Sequence, residues 1–320
     1  MAISLPNRVV CAIDAQMTYA LTVLLGAMAR TAEQQFRVTV GYLDDTLPAA
    51  DRDFVSEVAT ALKIPLDFMP LPSHSLFITQ GHISPTTFAK FLLADAISEP
   101  HLWLDADTVV LPGWDAVFSE ISETTETEGL VVAQRGGGIQ SEKGMAFNAG
   151  VLGWPAGHRR DWETPLQSLE KVETQEQFLF NTLYAPSARV MSEKFNTLTY
   201  RVEKLDPDNL PFIIHFAGAH KPWHLRRDLS HHCRNYRCPW SQWFLAEEAL
   251  LKEIGDSPVR PQLESQGSHA LVASNLTGGQ DQRGLRLLRL LLRLGPIAPI
   301  VVWFLRLLKQ WIARGTHPIH

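Results

Sequence analysis

Between residues 8 and 110 the chain alternates between two hydrophobic spacings, and that alternation restricts the fold more than any other property of the sequence. Short apolar runs at Arg8–Ile13, Arg37–Leu43, Ile64–Met69 and His101–Val110 have strand character. Between them lie helical stretches at Tyr19–Arg30, Ala50–Leu62 and Thr86–Ile97. In the second of these, Phe54, Val55, Val58 and Leu62 recur on one helical face. Parallel strands need long crossovers, and the helices supply them, so the order predicts a mostly parallel sheet covered on both faces. Ligands of such sheets collect at the carboxyl ends of strands. Asp14, Asp105 and Asp107 stand at predicted strand ends and are expected to converge.

The sharpest local signal is His101-Leu-Trp-Leu-Asp-Ala-Asp-Thr-Val-Val110, bounded by Pro100 and Pro112. It reads as one buried strand carrying two carboxylates. Burying like charges is costly unless a cation takes them up. Hard divalent cations prefer oxygen ligands and bring substrate phosphates with them. A bare Asp-x-Asp also occurs on solvated turns, so partners must come from elsewhere in the chain.

Three later segments offer such partners. Ala146–Gly153 reads as a strand, and within it Phe147-Asn-Ala-Gly-Val-Leu152 places Asn148 and Gly150 in an apolar run. That is either a kinked strand or a point where backbone and amide meet a polar ligand. Gln175, Glu176 and Gln177 open an apolar helix, Thr174–Tyr184. They form either a solvated first turn behind a Thr174 cap or a catalytic or sugar-binding edge. His215-Phe-Ala-Gly-Ala-His-Lys-Pro-Trp-His224 follows the predicted strand Pro211–Phe216. There an imidazole can ligate a transition metal, Gly218 permits close backbone approach, and Lys221 offers a point charge to phosphate. His231-His-Cys-Arg-Asn-Tyr-Arg-Cys238 matches no usual zinc spacing and reads as a reduced, solvated loop. The remaining signals are a strand at Gly129–Gln134, a glycine-rich loop at Arg135–Ile139, and helices at Asp161–Lys171 and Pro239–Gly255.

Composition bounds the partners. The 320 residues are 45% apolar and 20% charged, enough for a sizeable core. A net charge of −5 makes no case for nucleic acid. Three cysteines form no disulfide framework and fit a reducing compartment. Met1–Leu5 lacks the features of a secretory signal. Residues 257–282 are polar and rich in Gly, Ser, Pro and Gln, as linkers are. After Asp281 no acidic residue occurs, while Arg283, Arg286, Arg289, Arg293, Arg306, Lys309 and Arg314 do. The apolar stretch Leu294–Leu305 is too short to span a bilayer, and the basic amphipathic pattern reads as an interfacial anchor on anionic lipid. The expected organisation is a catalytic domain at 1–256, a linker at 257–282 and a membrane-associating tail at 283–320. The expected location is cytoplasmic, peripheral at the inner face of a membrane.

Taken in order, these segments resemble glycosyltransferase family 8, which includes bacterial lipopolysaccharide glucosyl- and galactosyltransferases and the glycogenins. The matching pieces are Asp105-Ala-Asp107, Phe147–Leu152, Gln175-Glu-Gln177 and His215–Trp223, with Ala12-Ile-Asp14 and His82–Lys90 as further support. The resemblance runs over residues 7 to 225. It implies a GT-A (Rossmann-like) α/β fold, a UDP-hexose donor, Mn2+ (or Mg2+) and retention of the donor's α configuration. Asp105, Asp107 and His215 would hold the metal. Asp14 would contact uracil or ribose, Ala106 would join the donor-binding residues, and Lys90 would sit near the donor phosphates or sugar. Asn148 and Ala149 would line the sugar pocket, with Glu176 and Gln177 beside the reacting sugar and Gln177 nearest the anomeric carbon. Gly218 and Lys221 would hold the diphosphate. Two positions depart from the family: Lys90 stands where Arg is usual, and Glu176 where Asp is usual.

The implied activity is hexose transfer, of glucose or galactose, to a glycan or lipid-linked glycan acceptor in cell-surface polysaccharide or lipopolysaccharide synthesis. With no carboxylate clearly placed as a nucleophile, attack on the same face as the departing diphosphate is expected. Two other readings share the Asp pair. A sugar-phosphate nucleotidyltransferase would carry a glycine-rich loop after the first strand, and Asp14-Ala-Gln-Met-Thr18 is not one. A non-catalytic sugar-nucleotide or glycan-binding protein would keep the fold and lose the chemistry.

Overall fold

The computed structural model describes residues 6–79, 84–124, 129–133, 140–141, 144–145, 147–169, 175–202, 205–206, 208–218, 221–224, 239–267 and 303–304. Strands β1 (Asn7–Ala12), β2 (Phe36–Leu43) and β3 (Leu66–Leu71) alternate with helices α1 (Thr18–Thr31), α2 (Ala49–Ala61) and α3 (Ala89–Ala96). Then follow β4 (His101–Leu104), β5 (Thr108–Val110), α4 (Val117–Ser122), β6 (Val131–Ala133) and a short ladder of β7 (Gln140–Ser141) with β8 (Gly144–Met145). The chain continues through β9 (Val151–Trp154), α5 (Glu163–Ser168), α6 (Gln175–Tyr184), β10 (Arg189–Met191), β11 (Thr197–Leu198) and β12 (Ile213–His215). Helices α7 (Pro239–Glu253) and α8 (Arg260–Gln266) complete it.

The large sheet has the order β10-β6-β9-β4-β1-β2-β3. β1 pairs in parallel with β2 and β4, β2 with β3, and β6 with β10; β9 runs antiparallel between β4 and β6. The expected mixed α/β architecture with a mostly parallel sheet therefore holds.

Strand periodicity makes the layers, because successive side chains point to opposite faces. Val9, Cys11, Leu102 and Leu104 enter one core with α1, α2 and α7. Val10, Trp103, Leu152 and Trp154 enter the other with α3 and α6.

The run His101–Val110 is not one strand. Asp105-Ala-Asp107 forms a turn, after which β5 leaves the large sheet for a three-stranded sheet of order β11-β12-β5. β5 pairs antiparallel with β12, with His215 opposite Thr108. Residues 257–267 of the expected linker carry α8, and Val259 and Leu263 there are buried in the core that holds α1 and α7. Among the described residues no helix is long and apolar enough to cross a membrane. The glycine-rich loop at 135–139, residues 82 and 83, Thr174, the 231–238 segment and the tail other than Trp303 and Phe304 lie outside the described residues.

Candidate active site

The Asp105–Asp107 turn sits on the seam between the two sheets and is pinned from both. The Asp105 N–H donates to the Gly150 carbonyl at 2.8 Å, and the Phe216 N–H donates to the Asp107 carbonyl at 2.9 Å. Thr108 Oγ1 closes the turn on the Asp105 carbonyl at 2.9 Å. The β5–β12 register brings His215 Nε2 to 3.3 Å from Asp107 and 3.8 Å from Asp105. Ligand atoms of Asp105, Asp107 and His215 all lie within 4.8 Å of one another. The His215 ring sits close against Gly150, where an added Cβ would stand 2.1 Å from its Cε1. Glycine is required there by that close approach.

Two lysines answer three carboxylates. Lys221 Nζ donates to Asp107 and, at 2.9 Å, to the Phe216 carbonyl. Burial alone would raise the Asp107 carboxyl, but Lys221 and His215 outweigh it and hold Asp107 well below the usual carboxylate range. Lys90, only 2% exposed, pairs with Glu176 and lies 3.2 Å from Asp105. Burial would lower the Lys90 ammonium, and the Asp105 and Glu176 charges overcome it, so the net direction is upward. Burial pushes the Glu176 carboxyl up, with Lys90 opposing. Trp103, two residues before Asp105 on the same strand face, donates from Nε1 to Asp105 at 2.8 Å.

Local structure presents each group. Ser84 caps the 3-10 turn Pro85–Phe88, which runs into α3. Phe88 stacks on Phe77 and Phe91 on Phe180, which fixes α3 and hence Lys90. Asp14 caps the 3-10 turn Ala15–Met17 by accepting from Gln16 N–H at 3.0 Å, and its other oxygen accepts from Ser84 Oγ at 2.7 Å. The Asn181 side chain bonds both the N–H and carbonyl of Phe147, at 2.7 and 2.9 Å, and ties the 147–150 turn to α6. Gly218 has φ of +103°, a left-handed conformation open to glycine at no steric cost.

One cavity of about 460 Å³ gathers Asp14, Lys90, Asp105, Ala106, Asp107, Asn148, Glu176, Gln177, His215, Gly218 and Lys221. These are the expected site residues except Ala149. Ala149 is 1% exposed and packs in the α3–α6 core. Phe147 and Ala149 point inward while Asn148 between them reaches the cavity. Glu176 is not part of a solvated first turn: it lines the cavity, buried against Lys90. The sequence reading missed Trp103, Ser84, Asn181 and Asn196. Trp103 was findable from its parity with Asp105 and Ser84 from the Ser-Pro cap at the start of its turn; Asn181 and Asn196 carry no local signal.

The donor set fits a divalent cation. His215 Nδ1 is engaged by Asn196 Oδ1 at 3.0 Å, which leaves Nε2 turned to the carboxylates. Three carboxylates against two ammonium groups leave negative charge in excess.

Comparison with known proteins agrees. The profile of Glycosyl transferase family 8 matches residues 9–226. A curated relative, Glycosyltransferase GlyD of Streptococcus pneumoniae serotype 4, is 25% identical over 247 residues, which are 67% of this chain. The chain spans only 28% of that protein's length. Among solved structures, the galactosyltransferase LgtC, solved with donor and acceptor sugar analogues, aligns with a TM-score of 0.59 at 19% identity. That alignment covers 76% of this chain and 95% of LgtC. The glycosyltransferase GlyE of Streptococcus pneumoniae aligns with a TM-score of 0.53 at 21% identity, covering 77% of this chain and 62% of GlyE. These likenesses establish the GT-A fold, and the matched profile spans both carboxylates of the turn, the Asn148 segment, the start of α6 and His215. By that match the chain belongs to glycosyltransferase family 8.

Proposed function

We propose that the protein is a metal-dependent, retaining hexosyltransferase that moves glucose or galactose from a UDP-sugar to a glycan or lipid-linked glycan acceptor, in cell-surface polysaccharide or lipopolysaccharide synthesis. The observation that carries this reading is the convergence of Asp105, Asp107 and His215 in the cavity that also holds Asp14, Lys221 and Gln177. Asp105, Asp107 and His215 would hold the cation, Mn2+ or Mg2+, which when bound neutralises charge on the leaving diphosphate. Asp14 is held rigid by its two hydrogen bonds and would accept from the nucleoside. Lys221, with Gly218 three residues before it, would meet the diphosphate as its charge develops.

Retention by same-face attack is supported by the state of the carboxylates. Asp14, Asp105, Asp107 and Glu176, the carboxylates lining the cavity, are each already engaged by donors or cations. None is left as a nucleophile. The bond from the anomeric carbon to the diphosphate breaks as the bond to the acceptor oxygen forms on the same face. The acceptor's proton passes to a departing phosphate oxygen. Gln177 would present its amide to the sugar beside that carbon. UDP-glucose, UDP-galactose and their N-acetyl forms, offered with and without Mn2+, test the reading through released UDP. UDP release from a hexose donor that depends on the metal is expected; equal release in its absence sinks the proposal.

We propose further that residues 283–320 lodge the enzyme on anionic lipid at the cytoplasmic face. The support is the seven basic and no acidic residues after Asp281, with Trp303 and Phe304 both 61% exposed. Deletion of 283–320 should abolish pelleting with phosphatidylglycerol vesicles and spare donor hydrolysis. Undiminished pelleting by the truncated protein rules the tail out as anchor.

A further inference from the structure

An unbroken file of side-chain hydrogen bonds runs from the candidate metal centre to the start of α6. His215 Nδ1 meets Asn196 Oδ1 at 3.0 Å. Asn196 Nδ2 donates to Asn148 Oδ1 at 3.0 Å and to the Asn148 carbonyl at 3.3 Å. Asn148 Nδ2 donates to Gln177 Oε1 at 2.9 Å. Taken singly, each amide could be turned end for end and the imidazole could carry its proton on either nitrogen.

The file cannot be turned, because one of its contacts is a main-chain donor. The Gly150 N–H points at Asn148 Oδ1 at 3.0 Å. An N–H cannot accept, so the atom facing it must be the Asn148 oxygen. In one direction, Asn148 Nδ2 then faces Gln177, whose oxygen must accept. Both hydrogens of Gln177 Nε2 are left for the cavity. In the other direction, the Asn148 side-chain and main-chain oxygens are both acceptors, so Asn196 must turn its Nδ2 to them. A carbonyl oxygen has lone pairs enough to accept from Gly150 and Asn196 together. Asn196 Oδ1 then faces His215 and needs a donor there. The neutral form of His215 therefore carries its proton on Nδ1 and presents the bare Nε2 to Asp105 and Asp107.

We propose that Asn196 is a positioning residue that couples the His215 tautomer to the orientation of the Gln177 amide, with the Gly150 N–H setting the polarity of the whole file. Asn196 is only 7% exposed and its side chain hydrogen-bonds Asn148 and His215 rather than the carboxylates of the turn, so its influence is exerted through its neighbours. The inference rests on the reading that Asp105, Asp107 and His215 hold a divalent cation and that Gln177 faces the donor sugar. One of its consequences, the tautomer in the metal-free protein, does not depend on that reading.

The test compares Asn196→Asp and Asn196→Ala with the parent protein. Asn196→Asp keeps the volume and keeps an acceptor for His215 Nδ1–H, but it has no N–H for Asn148. Asn196→Ala removes both. The first readout is nitrogen NMR of histidine-labelled, metal-free protein in mildly alkaline buffer, with the His215 signal assigned by its loss in His215→Gln. The Nδ1–H tautomer is expected in the parent and in Asn196→Asp, and a mixture in Asn196→Ala. The second is Mn2+ affinity by electron paramagnetic resonance. A loss of about 10–100-fold is expected for Asn196→Ala, the range of outer-shell ligand effects. Asn196→Asp should restore that affinity while kcat stays low, because the link to Gln177 remains cut. An Nε2–H tautomer in the parent overturns the proposal whatever the variants do. So does parental Mn2+ affinity in folded Asn196→Ala, or full turnover in Asn196→Asp. Parental Mn2+ affinity in Asp107→Asn would instead remove the metal reading, and the tautomer measurement would still judge the file.

Discussion

The two flanks of β4 are built from different materials. On one side, β1, β2 and β3 with α1 and α2 are held by apolar contact: Val9, Val38, Val40 and Leu24 are fully buried and need only volume and shape from their neighbours. On the other side, β5, β9 and β12 bury apolar residues as well, but the turn at 147–150 and the segment at 193–196 are held by specific atoms. His215, Asn196, Asn148 and Gln177 fit only with each oxygen and nitrogen in its own place. The apolar flank should therefore tolerate exchanges that keep volume, and the polar flank should fail on exchanges that keep volume but alter a charge or a donor. Asp14 after β1 and Lys90 of α3 are the charged groups that reach the cavity from the apolar side.

The largest test of that contrast is Asp107→Asn, which changes no volume and one charge. Turnover should fall about a thousandfold, the scale of losing one preorganised electrostatic group at a reacting centre. Near-parental donor turnover at low Mn2+ would erase the distinction between the flanks. Leu24→Ala probes the other side. It should cost about 2–5 kcal/mol of stability by chemical denaturation, as large-to-small changes in a packed core do. Turnover per folded molecule should stay at the parental value, and a matching loss of kcat would mean that the apolar flank reaches the chemistry. The smallest effect sharpens the border. Lys90 and Glu176 each depart from the family's usual Arg and Asp, and in the structure they are one contact. Lys90→Arg and Glu176→Asp should each lower turnover, and the double variant should recover, with a coupling of about 0.5–3 kcal/mol. Additive losses would show two unrelated departures.

The apolar flank was legible in the sequence because its information is local. Strand and helix spacings announce β1 to α3 within three residues, and the Asp pair marks the cavity. The polar flank was less legible because its information is distant. That His101–Val110 divides between two sheets depends on β5 finding β12, about a hundred residues later, and apolar parity says nothing about which sheet a strand joins. Asn196 has partners 19 and 48 residues away and nothing beside it that marks it out. Ala149 was placed in the sugar pocket by the family motif, yet alternation along the 147–150 turn sends its methyl group into the core. The polar composition of residues 257–267 hid two well-spaced anchors, Val259 and Leu263, which dock α8.

The seam at Asp105–Asp107 has a mechanical consequence. Asp105 follows directly from the last residue of the large sheet's β4, while His215 ends a strand of the small sheet. Any slip of one sheet past the other changes the distance between them before it breaks a strand. Grip on a cation would thus act as a strain gauge for the joint. A lesion on β11, whose Leu198 pairs with His215, would register as weakened ion binding while circular dichroism still reported an intact protein.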